Sequence, residues 1–334
     1  MKDATPLWLA KPSRFAGVSL QKARIGLALL ALLLLATLLA LASPGTPSID
    51  HDPANRGEDQ ADVVRYETIV QGMRGGGGYY PVTAQALRAG DDPMRPFLAF
   101  RLPTLAVVQA ALPPPVTMLL LYALVAGVVF AWYRQLRSAF ARPAAVWVAM
   151  ALLAGGLIAF VQADLACFHE IWAGLLIALS LAVRRESKWI EAVAIGLIAM
   201  LIRESAALYV GIMAVFAFAE GHRKEAIGWT STLGVLAIVL ALHAHAVSLV
   251  VRETDPALSG WPGPLGFGFF ITTMQLWTVL SLAPLWFAAP VVGLALFGWA
   301  AWKSELALRA LAVFAGYAAL LALFGRAGTL SSGP

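Results

Sequence analysis

Residues 189–219 read WIEAVAIGLIAMLIRESAALYVGIMAVFAFA, and between Glu191 and Glu220 the charged residues are Arg203 and Glu204 alone. The stretch is about half as long again as the ~20 residues that cross a bilayer's hydrocarbon core. It therefore reads as two short helices that meet at a membrane surface, with the charged pair at the junction. Further apolar runs of near-spanning length lie at 25–43, 104–133, 144–163, 167–183, 226–251 and 305–325. Residues 269–301 carry Pro284 and Pro290 and read as one kinked helix, with a re-entrant pair as the alternative. The chain has 334 residues, of which 60% are apolar and 13% charged, at a mean hydropathy of +0.76. A water-soluble fold of this size cannot bury so much apolar surface, whereas a bilayer can. The expected fold is an all-α polytopic membrane protein: one transmembrane domain over 1–334 with about nine transmembrane helices.

Charge placement sets the orientation independently. With residues 1–24 as a cytoplasmic N-terminal segment, Arg134, Arg137, Arg142, Arg184, Arg185, Arg223 and all six lysines (Lys2, Lys11, Lys22, Lys188, Lys224, Lys303) fall inside. The outer segments then contain arginine but no lysine, a segregation that one shift in the helix count would scramble. Trp132, Trp189, Trp229, Trp261 and Trp302 fall at expected span ends, where interfacial tryptophans belong. Charge segregated in this way sets topology, and the net charge of +5 implies no nucleic-acid partner. The basic N-terminus followed by an apolar run from Ile25 and by Ala40-Leu41-Ala42 resembles a signal peptide, but the run is long and many more follow, so it reads as an uncleaved first helix. The single cysteine, Cys167, excludes an intrachain disulfide and a cysteine-based metal cluster.

The first extracytoplasmic loop, 44–103, is the one large loop. It opens on a turn-rich stretch at 43–47. Val63, Tyr66, Ile69, Val70 and Met73 follow at spacings of three and four, as in an amphipathic helix lying on the membrane surface. Glycines 75–78 then break the helix. They lack the following Lys-Ser/Thr of a phosphate-binding loop and read as a hinge.

In this frame the outer boundary collects Asp50, Asp52, Asp59, Asp62, Glu67, Arg95 and Arg101 from the loop. It also collects Asp164, His169, Glu170, Arg203, Glu204, Arg252, Glu253, Asp255 and Arg326. Ionisable groups at a membrane boundary are costly unless they pair or work. Arg203 and Glu204 interrupt an apolar run where a mere turn would tolerate serine or glycine, and an arginine fork there suits a phosphate held at the surface. His243 and His245 are two apart on a helix, face different directions and make a poor metal pair. No Walker motif, nucleophile elbow or CxxC is present.

Asp62, Arg65-Tyr66, Ile69, Met73, Gly78-Tyr79-Tyr80, Arg95-Pro96-Phe97-Leu98 and Arg101-Leu102-Pro103-Thr104 together form a recognisable pattern. It resembles the first outer loop of the GT-C glycosyltransferases, in particular the protein O-mannosyltransferase and aminoarabinose-transferase group. Glu170 (or Asp164) stands where that family places an acidic residue at the start of the fourth span, and Arg203-Glu204 where it places Lys-Gly. The likeness covers about the first 220 residues. It departs from the family pattern at Val63, where a second acidic residue is usual, at Arg-Pro-Phe-Leu for Lys-Pro-Pro-Leu, and at Arg-Glu for Lys-Gly. The chain is also shorter than is usual for the group.

The resemblance implies a GT-C-like membrane glycosyltransferase on the outer face of a bacterial-type inner membrane. It would move a sugar from a polyprenyl-phosphate donor, with inversion, to an acceptor hydroxyl on a glycan, lipid or protein. Asp62 would be the general base. Arg203, with Arg95 and Arg101, would hold phosphate, and Glu204, Glu170 and Tyr66 would complete the substrate site. No cofactor is implied, although some GT-C enzymes use a divalent metal. The alternative is a non-catalytic membrane protein, either a lipid or solute transporter or an assembly subunit. Inverted repeats or mid-membrane charges would favour a transporter, and neither is evident.

The orientation makes a direct prediction. In a Cys167→Ser background, a cysteine introduced as Gly75→Cys should react with impermeant maleimide from outside intact cells, and Lys188→Cys or Lys224→Cys only after permeabilisation. Labelling of the Gly75→Cys protein from the cytoplasmic side alone contradicts this topology.

Overall fold

The computed structural model describes residues 9–39, 56–257 and 266–324, with the side chains of 39, 56–61, 159, 164 and 324 left aside. The expectations placed on 43–47, Asp50, Asp52, Trp261 and Arg326, and on the side chains of Asp59 and Asp164, fall outside these described residues. Among the described residues the regular structure is helical and no strand forms. In chain order the helices are α1 (Leu20–Leu39), α2 (Arg56–Arg74), α3 (Tyr79–Ala89), α4 (Thr104–Ala111), α5 (Pro114–Ala139), α6 (Pro143–Gly156) and α7 (His169–Val183). They continue as α8 (Trp189–Ile202), α9 (Ala207–Ala219), α10 (Arg223–Ser248), α11 (Gly266–Leu276), α12 (Leu285–Ala301) and α13 (Glu305–Phe324). Four of them, α1, α5, α10 and α13, are long and apolar enough to cross a membrane. Helices α6, α7, α8, α9 and α12 are also apolar but have 13 to 17 residues.

The chain divides into two compact units. The first comprises α1, the C-terminal part of α5, α6 and α11–α13. Here the expectation of one kinked helix over 269–301 is corrected: α11 ends at Leu276, a 3-10 turn spans Val279–Leu282, and α12 starts after Pro284. Two side chains stabilise the break. Thr278 Oγ1 accepts from the Leu280 N–H at 3.2 Å, and Gln275 Nε2 donates to the Ala283 carbonyl at 2.6 Å. Pro284 lacks the N–H that a continuing helix would use. Helix α12 then packs on α1 at Gly293, where any Cβ would lie 3.2 Å from Leu34 and 3.4 Å from Thr37.

The second unit contains α2–α4, the N-terminal part of α5 and α7–α10. Helices α7–α10 are tied by a buried polar thread. Ser180 Oγ on α7 donates to the Ala192 carbonyl on α8 and bonds the Tyr209 hydroxyl on α9, both at 2.7 Å. Arg184, at the end of α7, grips Glu225 in the first turn of α10 through Nε at 3.0 Å and Nη2 at 2.8 Å. Trp229 Nε1 donates to the same carboxylate at 3.1 Å. Both members of this ion pair are buried, and leaving a charge of this kind unpaired costs about 3–5 kcal/mol. The start of α8 lies against α10, because Gly228 leaves space for the Trp189 ring. Lys188 and Lys224 therefore share one end of this unit.

Two expectations about the loop region change. The run 104–133 does not form one helix: α4 ends at Ala111 and α5 begins at Pro114. Three consecutive prolines, 113–115, explain this, since they cannot continue α4 but suit a first turn. The amphipathic helix forms as α2, but Ile69 and Val70 are buried, with Ile69 in a cluster with Tyr79 and Ala106 that Tyr66 and Met73 join. Its apolar face is thus covered by α3 and α4 and is not spread on lipid. Glycines 75–78 are the turn between α2 and α3. Gly76 takes φ +93°, and a Cβ at Gly77 would stand 2.5 Å from Val82.

A strap fastens the segment after α3 to the end of α10. Arg88 on α3 donates to both Asp255 carboxylate oxygens, at 2.8 and 2.7 Å, and the Arg252 N–H donates to Asp255 Oδ2 at 2.7 Å. The Met94 N–H meets the Pro256 carbonyl at 2.8 Å. The Arg88 hydrogen bonds, aided by the Arg252 N–H, bring the Asp255 carboxyl down to about 2 from an ordinary 3.8. Because the folded-state value is the lower one, the contribution of Asp255 to stability is complete above about pH 5 and is lost as pH falls through 2 toward about 1. Asp255→Asn should lower the melting temperature at neutral pH, and its difference from the parent should shrink to a small fraction by about pH 2. A difference that persists unchanged at pH 2 contradicts this assignment.

Candidate functional site

In the second unit, three chain segments bring charge together at the end opposite the Arg184–Glu225 pair. Arg101 precedes α4, Glu170 lies in the first turn of α7, and Arg203 and Glu204 occupy the break between α8 and α9. Glu170 Oε1 lies 2.9 Å from Arg203 Nε and 3.5 Å from Arg101 Nη2. Arg203 Nη1 pairs in turn with Glu204 Oε1. Arg101 Nε donates to the Tyr66 hydroxyl at 3.3 Å. The result is a compact set of two guanidiniums, two carboxylates and a phenol. The Glu170 side chain is 50% exposed, against 18% for Arg203 and 29% for Arg101.

Each member is held by its own local structure. The chain leaves α8 at Arg203, whose extended backbone (φ −140°, ψ 113°) ends the helix and turns the guanidinium toward α7. The carbonyl of Arg101 accepts from the Tyr79 hydroxyl of α3 at 2.6 Å, and its neighbours Phe100 and Leu102 are buried. His243 Nε2 lies 3.2 Å from the Phe100 carbonyl, while its Nδ1 is 3.1 Å from the Tyr80 hydroxyl. The segment carrying Arg101 is thus gripped from α3 and α10 together. The approach to α7 is fixed at the Ala166 carbonyl, which accepts from Gln109 Nε2 at 2.9 Å and Trp172 Nε1 at 2.8 Å. Burial by itself would lower the pKa of Arg101, but the Tyr66 hydroxyl and Glu170 carboxylate outweigh it and hold that pKa raised.

The site residues read from the sequence separate into three groups. Tyr66, Arg101, Glu170, Arg203 and Glu204 come together. Asp62 lies one helical turn before Tyr66, on the same face of α2, with its side chain 46% exposed. It pairs with Arg65 Nη1 at 2.6 Å, and Arg65 Nε reaches Asp92 at 2.8 Å. Burial raises the Asp92 carboxyl, and the Arg65 charge opposes that rise. Arg95 stays outside the cluster, because its Nη2 donates to the carbonyls of Asp255 at 2.8 Å and Glu253 at 3.2 Å. Its work is to close the strap. Among the described residues, no three His, Cys, Asp or Glu side chains gather as a metal-holding group.

Sequence reasoning missed several supporting residues. Asp92 follows the C-terminal turn of α3, and nothing in its spacing ties it to Arg65. The clamp formed by Tyr79 and His243 depends on contacts between distant segments. His169 is 3% exposed, with its ring 5.4 Å from that of Tyr66. Neither ring nitrogen makes a well-formed hydrogen bond, although the Leu102 backbone is close by. His245 is exposed while His243 is buried, so the two histidines do face different ways. Comparison with protein-family models, curated proteins and solved structures found no match to this chain.

Proposed function

We propose that the chain is a membrane glycosyltransferase that uses a polyprenyl-phosphate sugar and works on the extracytoplasmic face. The observation that carries this reading is the convergence of Arg101 and Arg203 on Glu170 from segments about a hundred residues apart, beside the Asp62–Tyr66 face of α2. Two arginine forks at one site suit a phosphate group, because guanidinium donors match phosphate oxygens in pairs. A site at the end of a group of apolar helices also suits a donor whose tail remains in lipid. The nine crossings of this reading are α1, α5–α10, α12 and α13. With the N-terminus cytoplasmic, the lysine-bearing end of the second unit faces the cytoplasm and the arginine cluster faces out.

The chemistry needs few parts. Asp62 takes the proton from an acceptor hydroxyl, and the oxygen attacks the anomeric carbon from the face opposite the leaving group. The bond from that carbon to the phosphate oxygen breaks, and the electron pair leaves on the lipid phosphate, whose charge rises from one to two. Arg203 and Arg101 meet that developing charge, while Arg65 orients Asp62. Glu170 and Glu204 position the arginines and the sugar. Proton removal of this kind contributes about 10²–10⁴-fold.

Two variants test the assignment. Asp62→Asn should lower turnover by about 10²–10⁴-fold with little change in melting temperature, since an exposed ion pair adds about 0–1 kcal/mol. Near-normal turnover removes Asp62 as the base. Arg203→Ala should weaken donor binding about tenfold or more, the loss expected for a charge-assisted hydrogen bond, and Arg203→Lys should restore only part because the fork is lost. Full donor affinity in Arg203→Ala, or efficient turnover with a soluble sugar nucleotide alone, contradicts the proposed donor.

A further inference from the structure

Glu170 stands where an anionic ligand would have to stand. Its Oε1 lies against Arg203 Nε and Arg101 Nη2, the two donors that make the site attractive to phosphate. Both contacts are ion pairs by distance, and neither is a directed hydrogen bond; Arg203 Nε finds no well-aligned acceptor at all. The two arginines have other anchors. Arg203 pairs with Glu204, and Arg101 bonds the Tyr66 hydroxyl while its backbone is clamped by Tyr79. Glu170 is also the most exposed member of the set, at 50%. A half-exposed carboxylate on a flexible stem, held by charge alone between two anchored cations, is the group that moves when a stronger anion arrives.

We propose that Glu170 is a placeholder: its carboxylate competes with a phosphate group for the Arg101–Arg203 pair, and phosphate binding releases it. The inference rests on the phosphate site of the proposed function and adds its regulation. The donor diester matches the single charge and two free oxygens of a carboxylate and adds the binding of its lipid tail, and the leaving monoester carries more charge still, so either displaces Glu170 when present. Before the ligand arrives, Glu170 keeps the arginines from seizing other anions. Once released, it stays in the first turn of α7, beside the bound phosphate, where it can face the sugar hydroxyls. Arg101 and Arg203 keep their positions throughout, so the site needs no backbone movement to switch partners.

The test uses the full-length protein in detergent micelles and three probes, each titrated calorimetrically: farnesyl phosphate, farnesol and inorganic phosphate. Farnesyl phosphate should bind and farnesol should not, and inorganic phosphate should bind more weakly because it lacks the tail. Glu170→Gln should then raise the affinity for farnesyl phosphate about five- to tenfold, since the competing ion pair is gone. Removal of any nearby negative charge also favours an anion, so Glu170→Asp is the sharper variant. It keeps the charge, and with it the local fold, but is one methylene too short to bridge both arginines. Its affinity should also rise several-fold, whereas Glu204→Gln, which never bridges the pair, should change it less than Glu170→Gln does. Unchanged or weaker binding in Glu170→Asp and Glu170→Gln, with parent binding intact, overturns the placeholder and leaves the phosphate site standing. Equal binding of farnesol and farnesyl phosphate by the parent overturns the phosphate site itself, and the placeholder with it.

Discussion

A guanidinium cannot remain inside an apolar run unless other groups meet its charge, and this constraint at Arg203 organises the second unit. To meet it, the chain breaks α8 from α9, places Glu204 beside Arg203, and brings the first turn of α7 close enough for Glu170 to approach at 2.9 Å. Once Glu170 is there it draws Arg101, and Arg101 in turn fixes the segment that leads into α4. The charge at Arg203 thus links the helix break to the first turn of α7 and the segment before α4, while the Ser180 bonds hold α7 to α8 and α9. At the other end of the same helices the buried Arg184–Glu225 pair serves a different purpose. Its directed bidentate bonds lock α7 to α10, whereas the Glu170 contacts are undirected and leave the carboxylate half exposed.

The two ends therefore carry two kinds of charge pairing. Arg88 with Asp255, and Arg95 with the carbonyls of Glu253 and Asp255, resemble the Arg184 pair: short, aligned, and spent on holding one segment to another. The Glu170 cluster keeps donors within reach of an incoming group. Such looseness between rigidly held residues suits the exchange of one anion for another that we propose, since anchored donors lose little entropy when they change acceptors.

Much of this was legible in the sequence. The charged dipeptide within 189–219 foretold the break between α8 and α9, and the three- and four-residue spacing from Val63 to Met73 foretold α2. The same reading placed Tyr66, Arg101, Glu170, Arg203 and Glu204 on one side, and the structure gathers all five. The errors have physical causes. Hydropathy alone does not divide α4 from α5, where consecutive prolines end the helix; in 269–301 the prolines allow either a kink or a pair of helices, and the Thr278 side chain bonded to its own turn decides for two. The spacing in α2 marks an apolar face, but no sequence pattern shows that α3 and α4 cover it. Its neighbours in the chain group Arg95 with the site, yet its donors are taken by carbonyls about 160 residues away. His243 and Tyr79 stand in the sequence as residues of note, but they act on backbone carbonyls, which every residue has, so the sequence does not show which ones they meet.

The central claim is that the Arg101–Arg203 pair receives the phosphate of a lipid-linked donor. The most direct measurement is a cryo-EM map of the protein in nanodiscs with a non-hydrolysable polyprenyl phosphonate sugar, compared with a map lacking it. The account predicts phosphonate density between Arg101 and Arg203, with Glu170 turned away and the isoprenyl tail running along the apolar helices. Phosphonate density at the Arg184–Glu225 end, or no ligand density at the arginine pair while Glu170 still bridges it, would contradict the account.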